Sequence, residues 1–343
     1  MESRTEISSL GEFGLIDHLT RNIEIKNAST ILGVGDDAAV IDHFGKQTVL
    51  STDMLIENIH FDLMYTPLIH LGYKSVIANL SDIYAMNAIP TQLLVSLGFS
   101  NRFSVEALDE FYEGVYAACD KYGVDLVGGD TSSSQKGFII SITAVGEVTP
   151  DRFVQRSTAR KGDLLCCSGD LGAAYLGLVF LEREKKIFLE NPDIRPDLEG
   201  EKYVIGRMLK PEASKKTIEF FEQAEILPTA MMDISDGLSS EILHICKQSG
   251  LGCLLYEEKI PIAEETRNAA FKFEMDPTAC ALSGGEDYEL LFTVRPEEYE
   301  KLVLNENISV LGYMTGPEEG QKILTKGGNK FDITAQGWNA FTK

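Results

Sequence analysis

Apolar and polar positions along this chain repeat with two different periods. From Leu68 to Ala88 the apolar residues Leu68, Leu71, Val76, Leu80, Ile83 and Tyr84 recur at helical spacing, which predicts a long helix ended by Pro90. Ser81-Asp82 interrupts that apolar setting. Ser104 predicts the cap of a second helix reaching about Asp120, with Gly123 as its stop. Shorter runs predict strands over Leu93 to Phe99, Val124 to Val127 and Phe138 to Val148, the second leading straight into a Gly128-Gly129-Asp130-Thr131 turn. Nearer the N-terminus a short helix is expected over Leu15 to Thr20. Two extended runs then flank Gly45 as an expected hairpin, the second ending in Ser51-Thr52-Asp53.

The same grammar continues downstream. A strand over Leu164 to Cys167 meets Ser168-Gly169-Asp170-Leu171-Gly172 and an Ala/Leu-rich helix, and Met231 to Ile234 precedes Ser235-Asp236-Gly237 and a helix to Lys247. Strands are expected over Gly252 to Tyr256 and Tyr288 to Val294, the latter entered through Ser283-Gly284-Gly285-Glu286-Asp287. The charged stretch from Glu182 to Lys202, with Pro192 and Pro196, reads as an exposed connection. Pro150 and Asp151 mark the best boundary, which divides the chain into domains 1–149 and 150–343. Both halves alternate strands and helices through Gly-acid turns, so the predicted fold class is mixed α/β (α+β).

Composition narrows the function. The 343 residues carry 31 basic and 53 acidic side chains, 31 − 53 = −22, the opposite of a nucleic-acid binder's balance. Phosphates, if bound, must be met through divalent cations. With 44% hydrophobic residues the chain suits a substantial core. No apolar run is long enough to span a bilayer and no leading segment resembles a signal peptide, so no membrane partner and a cytoplasmic location are expected. The six cysteines form no Cys-x-x-Cys pair and no zinc-type spacing, and read as reduced core residues.

Candidate chemistry gathers in five clusters: Asp36–Asp37, Ser51-Thr52-Asp53, Ser81-Asp82, Gly129-Asp130 and Asp233-Ser235-Asp236. Any one alone reads as a cap or turn, because Asp and Ser favour both. Together they bring hard oxygen ligands of the kind Mg²⁺ takes, and clustered carboxylates repel unless cations lie between them. Gly128-Gly129 allows close approach to a phosphate. Neither a Walker pattern nor Gly-x-Gly-x-x-Gly at a strand-to-helix turn is present. Arg156 reads as a surface ion pair or a phosphate fork, His60 as a core histidine or a substrate contact, and Trp338 as a tail anchor or a stacking ring. No nucleophile arrangement is evident.

The stretches GVGDDAAVI, STDMLIENIHF, NLSDIYAMNAIP, LVGGDT, DISDGL and SGGEDYELLFTV occur in this order, and together resemble bacterial thiamine-monophosphate kinases. The resemblance runs from Gly11-Glu12-Phe13 to Trp338. It implies a two-domain aminoimidazole ribonucleotide synthetase-like architecture. It also implies a homodimer in which N-terminal strands pair across subunits, and ATP-dependent phosphorylation of thiamine monophosphate to thiamine diphosphate. Carried over by motif, the ligands of several Mg²⁺ ions are Asp37, Ser51, Thr52, Asp53, Asp82, Asp130, Asp233 and Asp236. The ATP contacts are Tyr112, Gly129, Asp130, Arg156 and Ser235, and His60, Glu286 and Trp338 face the thiamine phosphate. Selenophosphate synthetases and the hydrogenase maturation factor share the Gly-Asp pieces. The former are expected to carry a reactive Cys near the N-terminus, where the first here is Cys119, and the latter a Cys-bearing tail, where this chain ends Asn339-Ala340-Phe341-Thr342-Lys343. A non-catalytic nucleotide- or cation-binding protein is the alternative of another class.

Overall fold

The computed structural model of the protein describes residues 18–32, 40–196 and 198–335, and these divide into two units. The first takes in the described residues as far as Ile83 together with Ala88–Asp151, and the second takes in Tyr84–Asn87 together with the described residues from Arg152 onward.

In the first unit, β1 (Thr30–Leu32) and β2 (Val40–Ile41) form a small antiparallel pair. Four further strands, β3 (Gln47–Ile56), β4 (Ile89–Phe99), β5 (Asp125–Ser133) and β6 (Ile139–Val148), form a sheet in the order β3-β6-β4-β5. Only β4 and β5 are parallel, and a parallel pair needs a crossover. That crossover is the helix α2 (Val105–Tyr122), capped by Ser104 and stopped by Gly123 in the left-handed conformation, as the sequence predicts. The helix α1 (Leu68–Ala85) joins β3 to β4. Burial alternates along β4 and β6: Leu93, Val95, Leu97, Ile140, Ile142 and Ala144 are buried, and the residues between them are partly open. This is the pattern of a sheet covered on one side. The covered side meets both helices, Phe138 packing 5.3 Å from the Phe111 ring of α2 and Asn79 of α1 accepting a hydrogen bond from the Asp53 N–H. On the other side Leu50 and Met54 are 66% and 54% exposed.

Three expectations are corrected here. Pro90 does not end the helix but lies inside β4, at a shift in register against β6; a residue without an N–H is tolerated at such an irregularity. Gly128-Gly129-Asp130 is not a turn: it continues β5, paired with Leu94, Val95 and Ser96. Phe44 (φ 51°) and Gly45 (φ 86°) do form a tight turn, but the strands on either side of it join different sheets, β2 pairing with β1 and β3 with β6.

The second unit is built on a seven-stranded sheet. Its strands are β7 (Leu164–Ser168), β8 (Ala230–Ile234), β9 (Gly252–Tyr256), β10 (Glu289–Val294), β11 (Ile308–Thr315), β12 (Gln321–Leu324) and β13 (Lys330–Asp332), in the order β13-β12-β9-β11-β7-β10-β8. All pairs are antiparallel except β12 with β9. Every residue of β8 and β10 is buried, which is why these strands are mostly apolar, with Asp233 in β8 and Glu289 and Thr293 in β10 as the polar exceptions. The helices are α3 (Ala173–Glu190), α4 (Lys202–Leu209), α5 (Lys215–Gln223), α6 (Leu238–Ser249), α7 (Glu264–Lys272) and α8 (Pro277–Ser283). Ile242, Ile245 and Cys246 of α6 share one core with Leu255, Leu291 and Leu311, and a second cluster joins α3, α4, α7 and α8. The charged stretch after Glu182 is not wholly a connection: α3 continues to Glu190, with the Arg183 guanidinium 4.8 Å over Phe180 and 5.0 Å over Phe273. Among the described residues no helix is long and apolar enough to cross a membrane.

Candidate active site

The covered side of the first sheet carries a pair of acids. Residues 51 and 53 of β3 point toward α1, where Asn79 and Asp82, three positions apart, lie on one helical face. Ser51 donates to Asp82 Oδ2 at 2.5 Å, and the Asp53 N–H donates to Asn79 at 3.0 Å. The helix comes close because β6 has Gly146 there; a Cβ would stand 2.4 Å from Ile83 Cγ2. Burial, and then the nearby Asp82 charge, push the Asp53 carboxyl up to about 6. Two half-buried carboxylates that resist ionising together are the ones a divalent cation relieves. Among the described residues no three Asp, Glu, His or Cys side chains converge into a ready-made metal cage. Mg²⁺ does not require one, since it keeps waters and shares substrate phosphates, so the donor set fits it.

Thr52 and Asp130 project from the opposite, open side. Thr52 accepts from Thr143 at 3.0 Å, and Asp130 is in register with Ser96 and, beyond it, Ser141. Asp130, Ser96 and Ser141 line an open groove of about 520 Å³ together with Ser132, Ser134 and Lys136. Gly129 lies beside it on β5 against the Val95 backbone, where a Cβ would come within 1.8 Å of the carbonyl oxygen. The first-unit residues of the proposed set are thus divided between two faces.

In the second unit the antiparallel pairing of β8 with β10 brings two distant motifs together. Asp233 stands opposite Leu290, and the Glu286 and Tyr288 N–H groups donate to the Ser235 and Ile234 carbonyls at 2.8 and 2.9 Å. Gly285 permits this contact, because a Cβ would lie 2.1 Å from the Ser235 oxygen. Asp233 is buried, Asp236 half-buried and Ser235 exposed. Burial raises the Asp236 carboxyl above its usual range, with Glu286 adding to the effect and His244 opposing it. Glu241, which no motif marks, accepts from the Asp236 N–H at 3.0 Å; burial foremost, with Asp236 and Asp233 adding, pushes it up to about 8. Its sequence signal is its position in the first turn of α6, where an acid reaches back to a helix-start N–H.

His60 Nδ1 accepts from the Ile56 N–H at 3.0 Å, which leaves the ring proton of the neutral form on Nε2. Tyr112 is buried in α2 against Phe111 and Tyr116, with 7% of its surface exposed. Arg156 is an exposed side chain in a turn whose carbonyl accepts from Ser249 at 3.1 Å. Asp36, Asp37 and Trp338 lie outside the described residues.

Residues 35–148 match the family model described as AIR synthase related protein, N-terminal domain, and residues 160–322 match its C-terminal domain. The thiamine-monophosphate kinase of Aquifex aeolicus is 34% identical over 98% of this chain and 99% of its own length. That of Bacillus subtilis is 31% identical over 97% of this chain and 100% of its own. The solved structure of AaThiL complexed with AMPPCP and TMP superimposes with a TM-score of 0.73 at 32% identity, covering 97% of this chain and 98% of that one. Hydrogenase maturation protein HypE in complex with ATP, at 20% identity and a TM-score of 0.73 over 93% and 94% of the two chains, shares the fold.

Proposed function

Because the chain belongs to the thiamine-monophosphate kinase family of the AIR synthase related proteins, we propose that it transfers the γ-phosphoryl group of ATP to thiamine monophosphate, giving thiamine diphosphate and ADP. The observation that carries this reading is the near full-length similarity to AaThiL, which was solved with AMPPCP and TMP. The fold shared with HypE does not choose the acceptor; the relatives above 30% identity do.

The acceptor is a phosphate oxygen already ionised near neutral pH, so the chain needs to supply position and charge compensation rather than a strong base. Asp53, Asp82 and Ser51 would hold magnesium on the covered side of the first sheet, with Asp37, Thr52, Asp130, Asp233 and Asp236 as the other proposed ligands. Bound there, Mg²⁺ would neutralise the phosphate charges and permit direct in-line transfer. Gly129 offers backbone on β5 to the nucleotide phosphates, Arg156 a guanidinium fork, and Ser235 a hydroxyl, with Tyr112 as a further ATP contact. His60, with its proton on Nε2, is a donor for the acceptor phosphate. The Glu286 carboxylate complements the thiazolium cation, and Trp338 completes the acceptor site. We further propose a cytoplasmic homodimer in which strands of the first unit pair across subunits, a reading supported by the exposed Leu50 and Met54 of β3. No residue is used as a covalent nucleophile, so a phosphoenzyme turning over at the catalytic rate would exclude this mechanism.

The test is ADP release with ATP, Mg²⁺ and thiamine monophosphate, the product identified by mass. One thiamine diphosphate for each ADP is expected. ADP formed without it, or no turnover by a protein that binds ATP, would reject the acceptor.

A further inference from the structure

The peptide that presents Glu286 is held in an uncommon conformation. Glu286 and Tyr288, on either side of Asp287, have φ values of 69° and 53°, in the left-handed region that side chains other than glycine seldom adopt. Such a conformation persists only where its surroundings over-determine it. Here they do. Arg207, on α4, donates through Nη1 to Glu289 Oε1 at 3.1 Å and through Nη2 to the carbonyls of Asp170 and Asp287 at 3.1 and 3.4 Å. Asp287 is fully buried and its Oδ2 accepts from the Gly172 N–H, at the start of α3, at 2.9 Å. Glu289 Oε2 accepts from Ser168 at 2.6 Å and from Ser214 at 3.3 Å, and Ser214 also donates to the Tyr288 carbonyl at 3.4 Å.

The cluster is poorly composed for stability alone. One guanidinium meets three acids, and Arg207 Nε, Asp170 Oδ1 and Asp287 Oδ1 are buried with no protein partner. Apolar packing serves stability at least as well as buried charge of this kind. What the charges supply is direction: a planar fork locks one carboxylate and two backbone carbonyls in a single geometry.

We infer that Arg207, with Asp287 and Glu289, is a positioning device that fixes the left-handed turn and so aims Glu286 at the acceptor, making this cluster a determinant of thiamine monophosphate recognition rather than of ATP binding. The inference rests on the proposed role of Glu286. Arg207 touches neither substrate; it acts through the backbone of residues 286–288.

The test is a double-mutant cycle. Arg207→Lys keeps the charge and loses the fork, and Glu289→Gln, nearly isosteric, serves where the lysine variant folds poorly. Each is made alone and with Glu286→Gln, and steady-state kinetics are measured against both substrates with the melting temperature alongside. The expected result is a rise of about tenfold in KM for thiamine monophosphate, with KM for ATP within about twofold of wild type. In the Glu286→Gln background the same change should add less than about twofold. An equal effect in both backgrounds, or parallel increases in both KM values, would reduce Arg207 to a structural residue and overturn the inference. Wild-type protein that forms no thiamine diphosphate would instead overturn the functional reading beneath it, and the inference with it.

Discussion

Ser51 and Asp82, 31 positions apart in sequence, are joined by a 2.5 Å hydrogen bond that seats the acid of a helix beside the acid of a strand, Asp53. The pair is destabilised by its own charge and useful for the same reason. Replacing Asp82 with Asn keeps the hydrogen-bond acceptor and removes the repulsion. Asp82→Asn should therefore melt no lower than wild type in metal-free buffer, while kcat falls on the order of 10²-fold or more, as when a preorganised charge is lost from an active site. Full turnover in a folded variant would remove Asp82 from the proposed metal ligands.

The same pair predicts a pH dependence. Asp53 is raised from 3.8 to about 6 in the folded protein, so between those values the folded state holds a proton that the unfolded chain has released. This contribution to stability falls as pH rises from 3.8 to about 6 and levels off above. A carboxylate takes Mg²⁺ in its ionised form, so if Asp53 is a ligand as proposed, the Mg²⁺-induced rise in melting temperature should grow as pH passes about 6. Asp53→Asn should flatten the metal-free profile across this window. A Mg²⁺ effect greater at pH 5 than at pH 7 would contradict the assignment.

Gly285 makes a different demand. An alanine Cβ there would stand 2.1 Å from the Ser235 carbonyl oxygen, so backbone must move. Gly285→Ala should cost about 1–3 kcal/mol and separate the two turns, lowering activity with stability. Gly206, exposed within α4, is the control, because a Cβ added there would meet no atom within 4 Å. Alanine at that position should be neutral or stabilising by up to about 1 kcal/mol in urea melts.

All six cysteines are free and buried. Burial pushes the Cys119 thiol up to about 12 and that of Cys280 to about 11, far from the reactive range. A thiol reagent at pH 8 should label almost none of them in the native protein and all of them in guanidinium. Rapid native labelling of several thiols would place them wrongly.

Much of the fold is legible in the sequence because local signals coincide with tertiary demand. Ser104 caps α2 and Gly123 ends it, where side-chain and backbone chemistry are local. The apolar runs of β8 and β10 stand out because both faces are covered. Strands β11 to β13 are bounded by turn signals, Gly316-Pro317 and Gly327-Gly328-Asn329, but their short, mixed sequences carry no long apolar run to mark them as strands. Pro90 reads locally as a helix stop, yet the helix has already ended at Ala85, and the proline is accommodated at a register shift between strands. No local pattern reports on a partner strand.

The candidate site divides the same way. Residue types and order are set by sequence: recurring Asp and Ser beside strands, a large acidic excess, and motifs whose order specifies the family. Tertiary structure decides which of them meet. It puts Asp53 and Asp82 together but turns Thr52 and Asp130 to the other face, because neighbouring strand residues point to opposite sides of a sheet. It also brings Asn79, Glu241 and Arg207 beside these motifs through helices, where contacts depend on how elements pack, and packing is not written in the spacing of any one stretch.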